Sequence, residues 1–378
     1  MKLSRRTILH GAGVLPFAVA SWRTSAWAQT ATAAPVSELP PILFVHGNGD
    51  YDALWMTTLW RMESNGIPRE RMLAINFTDP DARDDDTVEQ ANRSSTEDQR
   101  RELAAAIAEL KRRTGAARVA LVGSSRGGYV IRNVIKNGGA GDASHAVLCG
   151  TPNHGVFAID ALLGSEFNGR GAFLRGLNEG ESEVTPGPAF LTLRSDGMDK
   201  YAQADGRFIG RPGVPTNVNA EGPELKGATN LVLGALDHRE VAFHPRAFRE
   251  IYKFIAGREP DRIAIMPEAS VKLSGLVTGT PGGVPTNRPM AGATVELFRV
   301  DPESGERKGS AVHSSKTGPM AAGGRPRSIR PGRSNSSWPR RTRPRRISTA
   351  RRSRARRTLC TCAPRARSGR AMQAPAQS

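Results

Sequence analysis

The chain has 378 residues, with 54 Lys and Arg against 36 Asp and Glu and a formal net charge of +18. That charge would suggest a nucleic-acid or anionic-surface binder, but every acidic residue lies at or before Glu306, whereas residues 320–378 hold 17 Arg and no Lys. Without that tail and the first 28 residues, the remainder carries 33 basic against 36 acidic residues, so its charge gives no case for nucleic acid. Its composition excludes a collagenous or coiled-coil chain, and no run after residue 28 approaches the roughly 18 apolar residues a membrane span needs.

Residues 1–28 combine a basic start, a mildly apolar run from Gly11 to Ala20 and Ala26-Trp27-Ala28 before Gln29. These are the parts of an export signal. Arg5-Arg6 after Ser4, followed by Thr7, Ile8 and Leu9, resembles the bacterial twin-arginine signal; an ordinary secretory signal is the alternative. Either reading puts the mature protein in the periplasm or outside the cell, and the first makes the twin-arginine export machinery a partner. The body that follows holds one cysteine, Cys149, so no disulfide framework is expected in it.

From Pro40 short apolar runs alternate with amphipathic ones. The spacing predicts strands at 42–45, 72–77, 119–122, 146–148, 190–194 and 230–233, and helices over 53–65, 95–114, 128–136 and 245–256. Such alternation implies a parallel sheet with helices on both faces, and places reactive groups on loops at the carboxyl ends of the strands. The catalytic domain is therefore expected over 36–258.

The strand at 119–122 runs into Gly123-Ser124-Ser125-Arg126-Gly127-Gly128 and then a helix. This is G-x-S-x-G in the strand, turn and helix context that gives the motif meaning, with Ser125 as nucleophile. A serine hydroxyl needs a histidine to take its proton, and that imidazole needs a carboxylate to hold its tautomer. His238 follows the strand at 230–233 and is the preferred base over His46, His154 and His244. For the acid, the loop after 190–194 offers Asp199, with Asp196 as the alternative; Asp237, adjacent to His238, is expected to be solvated. The oxyanion of acyl transfer needs fixed N–H donors, expected from the backbone of Arg126 and from the loop His46-Gly47-Asn48-Gly49-Asp50 at Asn48.

Together, His46-Gly47-Asn48-Gly49-Asp50, Gly123-Ser124-Ser125-Arg126-Gly127 and Gly150-Thr151-Pro152-Asn153-His154-Gly155 resemble the α/β-hydrolase fold. They look most like the class 2 bacterial lipases and the polyhydroxyalkanoate depolymerases with a His-Gly-x-Gly loop. The resemblance, over about 40–257 of the sequence, implies ester hydrolysis through an acyl-enzyme, without a cofactor, on a small-molecule or polymeric ester. Many bacterial lipases have an apolar residue after the nucleophile, so Arg126 would bring charge to the acyl pocket unless its side chain turns away.

Asp79, Asp81, Asp84, Asp85 and Asp86 share one loop, but without the ordered spacing and glycine turn of a calcium loop, so a solvated loop and no metal are expected. Residues 156–188 lack periodicity and are either a lid or a long surface connection.

Beyond Arg262 short alternating strands, including 270–275 and 293–298, resemble the start of a prealbumin-like β-sandwich over 262–319. The match stops at Thr317-Gly318-Pro319. Residues 320–378 have no Asp, Glu, Lys, Val, Phe or Tyr, cannot bury a core and are expected to be a disordered basic tail. A shifted reading frame accounts for them better than a nucleic-acid-binding arm: read one base earlier, Met320-Ala321 becomes a residue such as Asp followed by Gly, the turn such a sandwich would need. A catalytically silent hydrolase fold used for surface binding is the rival functional class.

Overall fold

The computed structural model describes residues 38–204, 206, 212–267, 275–301 and 303–318. The export signal, the start of the strand expected at 270–275 and the tail from 320 lie outside them. In chain order the elements are β1 Ile42–Val45, α1 Met56–Ser64, β2 Met72–Ala74, β3 Asp81–Ala82, β4 Arg93–Ser94, α2 Thr96–Thr114, β5 Val119–Ser124, α3 Arg126–Lys136, β6 Ala143–Cys149 and α4 Ala172–Leu177. They continue with β7 Ala189–Arg194, β8 Thr229–Val232, α5 Glu240–Phe243, α6 Pro245–Ala256, β9 Thr294–Val300 and β10 Arg307–Lys316.

Six strands form one parallel sheet in the order β2-β1-β5-β6-β7-β8. Alternate residues of its central strands enter two separate cores, as the period of two demands. Ile42, Phe44, Ala120 and Val122 pack with Leu59 and Met62 of α1 and with Phe248, Ile251 and Ile255 of α6. Leu43, Val45, Val119 and Leu121 pack on the opposite face with Leu103, Ile107 and Leu110 of α2 and Val130, Ile131 and Val134 of α3. The expected parallel sheet with helices on both faces is what the chain forms.

The helix boundaries follow from local chemistry. Ser95 caps α2, accepting from the Asp98 N–H, while the Asp98 carboxylate accepts from the Ser95 N–H, a reciprocal cap that satisfies two otherwise orphaned donors. Gly115 ends the helix in the left-handed conformation, just after Lys111, Arg112 and Arg113 in its last turn. No helix among the described residues is long and apolar enough to cross a membrane.

In two regions the structure adds detail to the sequence-based reading. Within 156–188 a short helix, α4, buries Leu174 and Leu177 beside Tyr129 of α3. With Arg132 bound to the Leu177 and Glu183 carbonyls, this part of the segment is anchored to α3. In the C-terminal region, the described residues contribute a two-stranded antiparallel ribbon, β9 with β10. Residues 286–288 lie against the loop that leaves β2.

Candidate active site

Ser125 sits between β5 and α3 with φ +52 and ψ −122, a conformation a non-glycine residue adopts only when its surroundings impose it. The imposing contacts are close. A Cβ on Gly127 would stand 2.6 Å from the carbonyl oxygens of both Val45 and His46, so only glycine lets α3 start so near β1. Ser125 donates its N–H to the Cys149 carbonyl at 2.9 Å, tying the turn to the end of β6.

The next residue along β6, Gly150, faces the other half of the site. A Cβ there would lie 3.5 Å from His238 Nδ1 and 3.7 Å from Asp199 Oδ2. The turn carrying Ser125 and the histidine–carboxylate pair therefore flank the carboxyl end of one strand. His238 Nδ1 is 2.9 and 3.0 Å from the two Asp199 carboxylate oxygens, and the pair is almost completely sealed, at 6% and 2% exposure. A carboxylate accepts, so in this bond Nδ1 is the ring nitrogen that carries the proton. Asp199 Oδ1 also accepts from the Tyr201 N–H at 2.9 Å. The Tyr201 ring meets the imidazole edge-on, with centroids 4.4 Å apart.

Asp196 is occupied elsewhere. Its Oδ2 accepts from the Ala235 N–H at 2.9 Å and its Oδ1 from the Met198 N–H at 3.1 Å, and backbone bonds hold this solvent-facing carboxyl below the usual carboxylate range. It fastens the loop before His238 instead of reaching the imidazole. Asp237, expected to be solvated, accepts from the N–H groups of Arg239 and Glu240 and starts α5.

The three other candidate histidines have structural partners. His46 is buried, with Nδ1 2.8 Å from the Gly47 carbonyl and Nε2 accepting from the Phe77 N–H at 3.2 Å. Burial lowers its pKa to about 4, opposed by the Gly47 bond. His154 bridges the Gly222 carbonyl and Glu183, and His244 caps α6 by accepting from the Arg246 N–H.

The loop His46-Gly47-Asn48-Gly49-Asp50 passes directly over Ser125: a Cβ on Gly47 would be 3.1 Å from the Ser125 Cβ and 3.7 Å from its Oγ. The Asn48 side chain accepts from the Ala82 N–H at 2.7 Å, and the Gly49 N–H donates to the Pro80 carbonyl at 3.2 Å. At the start of α3 the Gly128 N–H donates to the Ser125 carbonyl at 2.9 Å, and the first N–H groups of a helix lack the acceptor four residues back that later ones find.

The Arg126 side chain folds into the protein, onto Glu166, Pro80 and Ser94. It is 1% exposed, and its five N–H donors meet five acceptors: both Glu166 carboxylate oxygens at 2.5 and 2.6 Å, the Pro80 carbonyl, and the hydroxyl and carbonyl of Ser94. Burial raises the Glu166 pKa, opposed by the guanidinium. Nothing in the sequence marks Glu166 as this partner, because the 40 residues separating them carry no spacing signal. The Asp-rich loop is likewise partly structural, since Asp86 accepts from the Thr96 N–H at the start of α2 and Asp79 pairs with Arg288. Among the described residues no group of His, Cys, Asp or Glu is arranged to hold a metal ion.

Residues 41–188 match the family model of the palmitoyl protein thioesterases. No curated protein matches the sequence. Among solved structures, the chain is similar to the mature form of lipase BlEst2 from Bacillus licheniformis, at 18% identity over 60% of this chain and 95% of that one, with a TM-score of 0.42. It is also similar to lipase B from Aspergillus fumigatus, at 14% identity over 62% of this chain and 57% of that one, with a TM-score of 0.43. Phospholipase PlaB from Legionella pneumophila aligns at 16% identity over 69% and 74%, with a TM-score of 0.38. The parallel six-stranded sheet, the strained serine turn between β5 and α3 and the match over 41–188 give this chain the fold of the α/β-hydrolases, among which it is similar to the palmitoyl protein thioesterases.

Proposed function

We propose that this protein is a serine hydrolase that cleaves carboxylic esters through an acyl-enzyme. The observation that carries the reading is the sealed His238–Asp199 pair at the same strand end as the strained Ser125 turn. In this scheme Ser125 Oγ attacks the acyl carbon as its proton passes to His238 Nε2, and the carbonyl π electrons move onto oxygen. The oxyanion lies between the N–H groups of Asn48 and Arg126, which are in place before charge develops. Collapse expels the alcohol, protonated by His238, and water repeats the sequence to release the acid. Asp199 holds the imidazole tautomer and balances the imidazolium charge. The inward fold of Arg126 onto Glu166 removes the charge conflict that its position raises.

The match to palmitoyl protein thioesterases adds acyl thioesters to the substrates worth testing. Export rests on residues 1–28 alone, whose composition fits a twin-arginine signal and a periplasmic or secreted product.

Turnover of p-nitrophenyl esters and acyl thioesters of increasing chain length, by wild type and Ser125→Ala, tests the reading. Ser125-dependent release is expected, and the chain-length profile would separate esterase, lipase and polymer-directed activity. Equal turnover by both proteins on every substrate would sink it and favour a silent binding fold.

A further inference from the structure

We infer that Asn287 is a positioning residue for the oxyanion loop, so that the C-terminal region completes the active site instead of standing apart as a separate module; this rests on the hydrolase reading above. The loop His46-Gly47-Asn48-Gly49-Asp50 is tied on one side by the Asn48 bond to Ala82 and the Gly49 bond to Pro80. On another side the Asp50 carboxylate accepts from Arg239 at 2.8 Å, next to His238. The Asp50 carbonyl is held from a third direction by a residue 237 positions later: Asn287 Nδ2 donates to it at 3.1 Å and to the Phe77 carbonyl at 2.9 Å.

The orientation of this amide is unambiguous in chemical terms. Both partners are carbonyl oxygens, so only the amide nitrogen can face them. Asn287 also donates its backbone N–H to the Thr78 carbonyl at 3.0 Å, Thr286 donates its hydroxyl to the same carbonyl at 3.1 Å, and Arg288 pairs with Asp79 at 2.6 Å. Three consecutive residues are thus seated along 77–79, with Thr286 and Asn287 buried. The central one spans from that segment to the last residue of the oxyanion loop.

An oxyanion donor works only if it is already aimed at the place where charge will appear, and small displacements cost rate more than binding. Removing the Asn287 amide takes this shared donor from the Asp50 and Phe77 carbonyls. The loop then relaxes toward water, and the Asn48 N–H moves with it.

The test uses the full chain and compares wild type with Asn287→Ala and Asn287→Asp, the latter keeping the volume but replacing the donor with an oxygen. Both variants should lower kcat by about ten- to a hundredfold with KM within about twofold, since the interaction is expressed in the transition state. Amide hydrogen exchange should accelerate at residues 47–51 and stay at wild-type levels in β5 and β6. Full activity in Asn287→Asp, or unchanged exchange at 47–51, would overturn the proposal. A rate loss accompanied by faster exchange throughout the sheet would overturn it too, as general destabilisation. If wild type shows no Ser125-dependent turnover, the hydrolase reading fails separately. The exchange measurement then decides alone whether Asn287 holds the loop: local acceleration supports the tether, and none overturns it.

Discussion

Arg126 and Glu166 form a bidentate ion pair sealed inside the protein, with Nε–Oε1 at 2.5 Å and Nη2–Oε2 at 2.6 Å. It joins the residue after the proposed nucleophile to the segment over 156–171, and through Ser94 and Pro80 to the Asp-rich loop. A charge that sequence alone would place beside the acyl group is instead consumed in the scaffold that holds the Ser125 turn.

That pair should behave as a unit. Arg126→Met leaves a buried carboxylate and Glu166→Leu a buried guanidinium, each expected to cost about 3–5 kcal/mol. The double variant restores an apolar contact and should lose markedly less than the sum of the singles. Urea unfolding of the four proteins checks this; strict additivity would show that the two side chains do not share their burial.

The two candidate acids should separate by kinetics. Asp199→Asn removes the ionised partner of His238 and allows the wrong tautomer, so kcat should fall by about a thousand- to ten-thousandfold with little change in KM. Asp196→Asn keeps an acceptor for the Ala235 N–H and should stay within about threefold of wild type. Steady-state kinetics on one ester decides it, and comparable losses in the two variants would contradict the observed partnering.

Acid stability should carry the signature of His46. Its folded pKa of about 4 lies below its ordinary value of 6.5, so between those values the unfolded chain binds a proton that the folded one refuses. Stability is therefore present in full above about pH 6.5 and falls as pH drops toward 4, by on the order of 3 kcal/mol over the window. His46→Asn should flatten that part of the profile while lowering stability at pH 7, because the Phe77 N–H loses its acceptor. Thermal unfolding at intervals from pH 4 to pH 8 makes the comparison, and parallel profiles would rule out His46 as the source.

Gly127 in the first turn of α3 and Gly197 on the loop before Asp199 should respond unequally to a methyl group. Gly127→Ala places Cβ against two backbone carbonyls at 2.6 Å, and neither can move without displacing β1. Its Tm is expected to fall by about 5 °C or more. Gly197→Ala meets nothing within 4 Å and should stay within about 2 °C of wild type. A calorimetric scan of both variants suffices; a wild-type Tm for Gly127→Ala would mean that the elbow packs less tightly than described.

What the sequence determined by itself is local. Apolar runs of strand length alternating with amphipathic helices gave a parallel sheet, because side-chain periodicity reports which faces are buried before any partner is known. The strand, turn and helix around Ser125 were legible for the same reason, since the flanking glycines and the turn lie within a few residues of one another. The separation of charge showed that the basic tail says nothing about the body. Only the tertiary structure decided which carboxylate meets His238: Asp196 and Asp199 are three residues apart on one loop, and the choice depends on where β8 delivers Ala235 and where it delivers His238. Likewise, the inward fold of Arg126 onto Glu166 and the reach of Asn287 to Asp50 join residues 40 and 237 positions apart. Contacts between distant segments leave no periodicity in the chain, because folding brings them together through the packing of other residues and not through their own spacing.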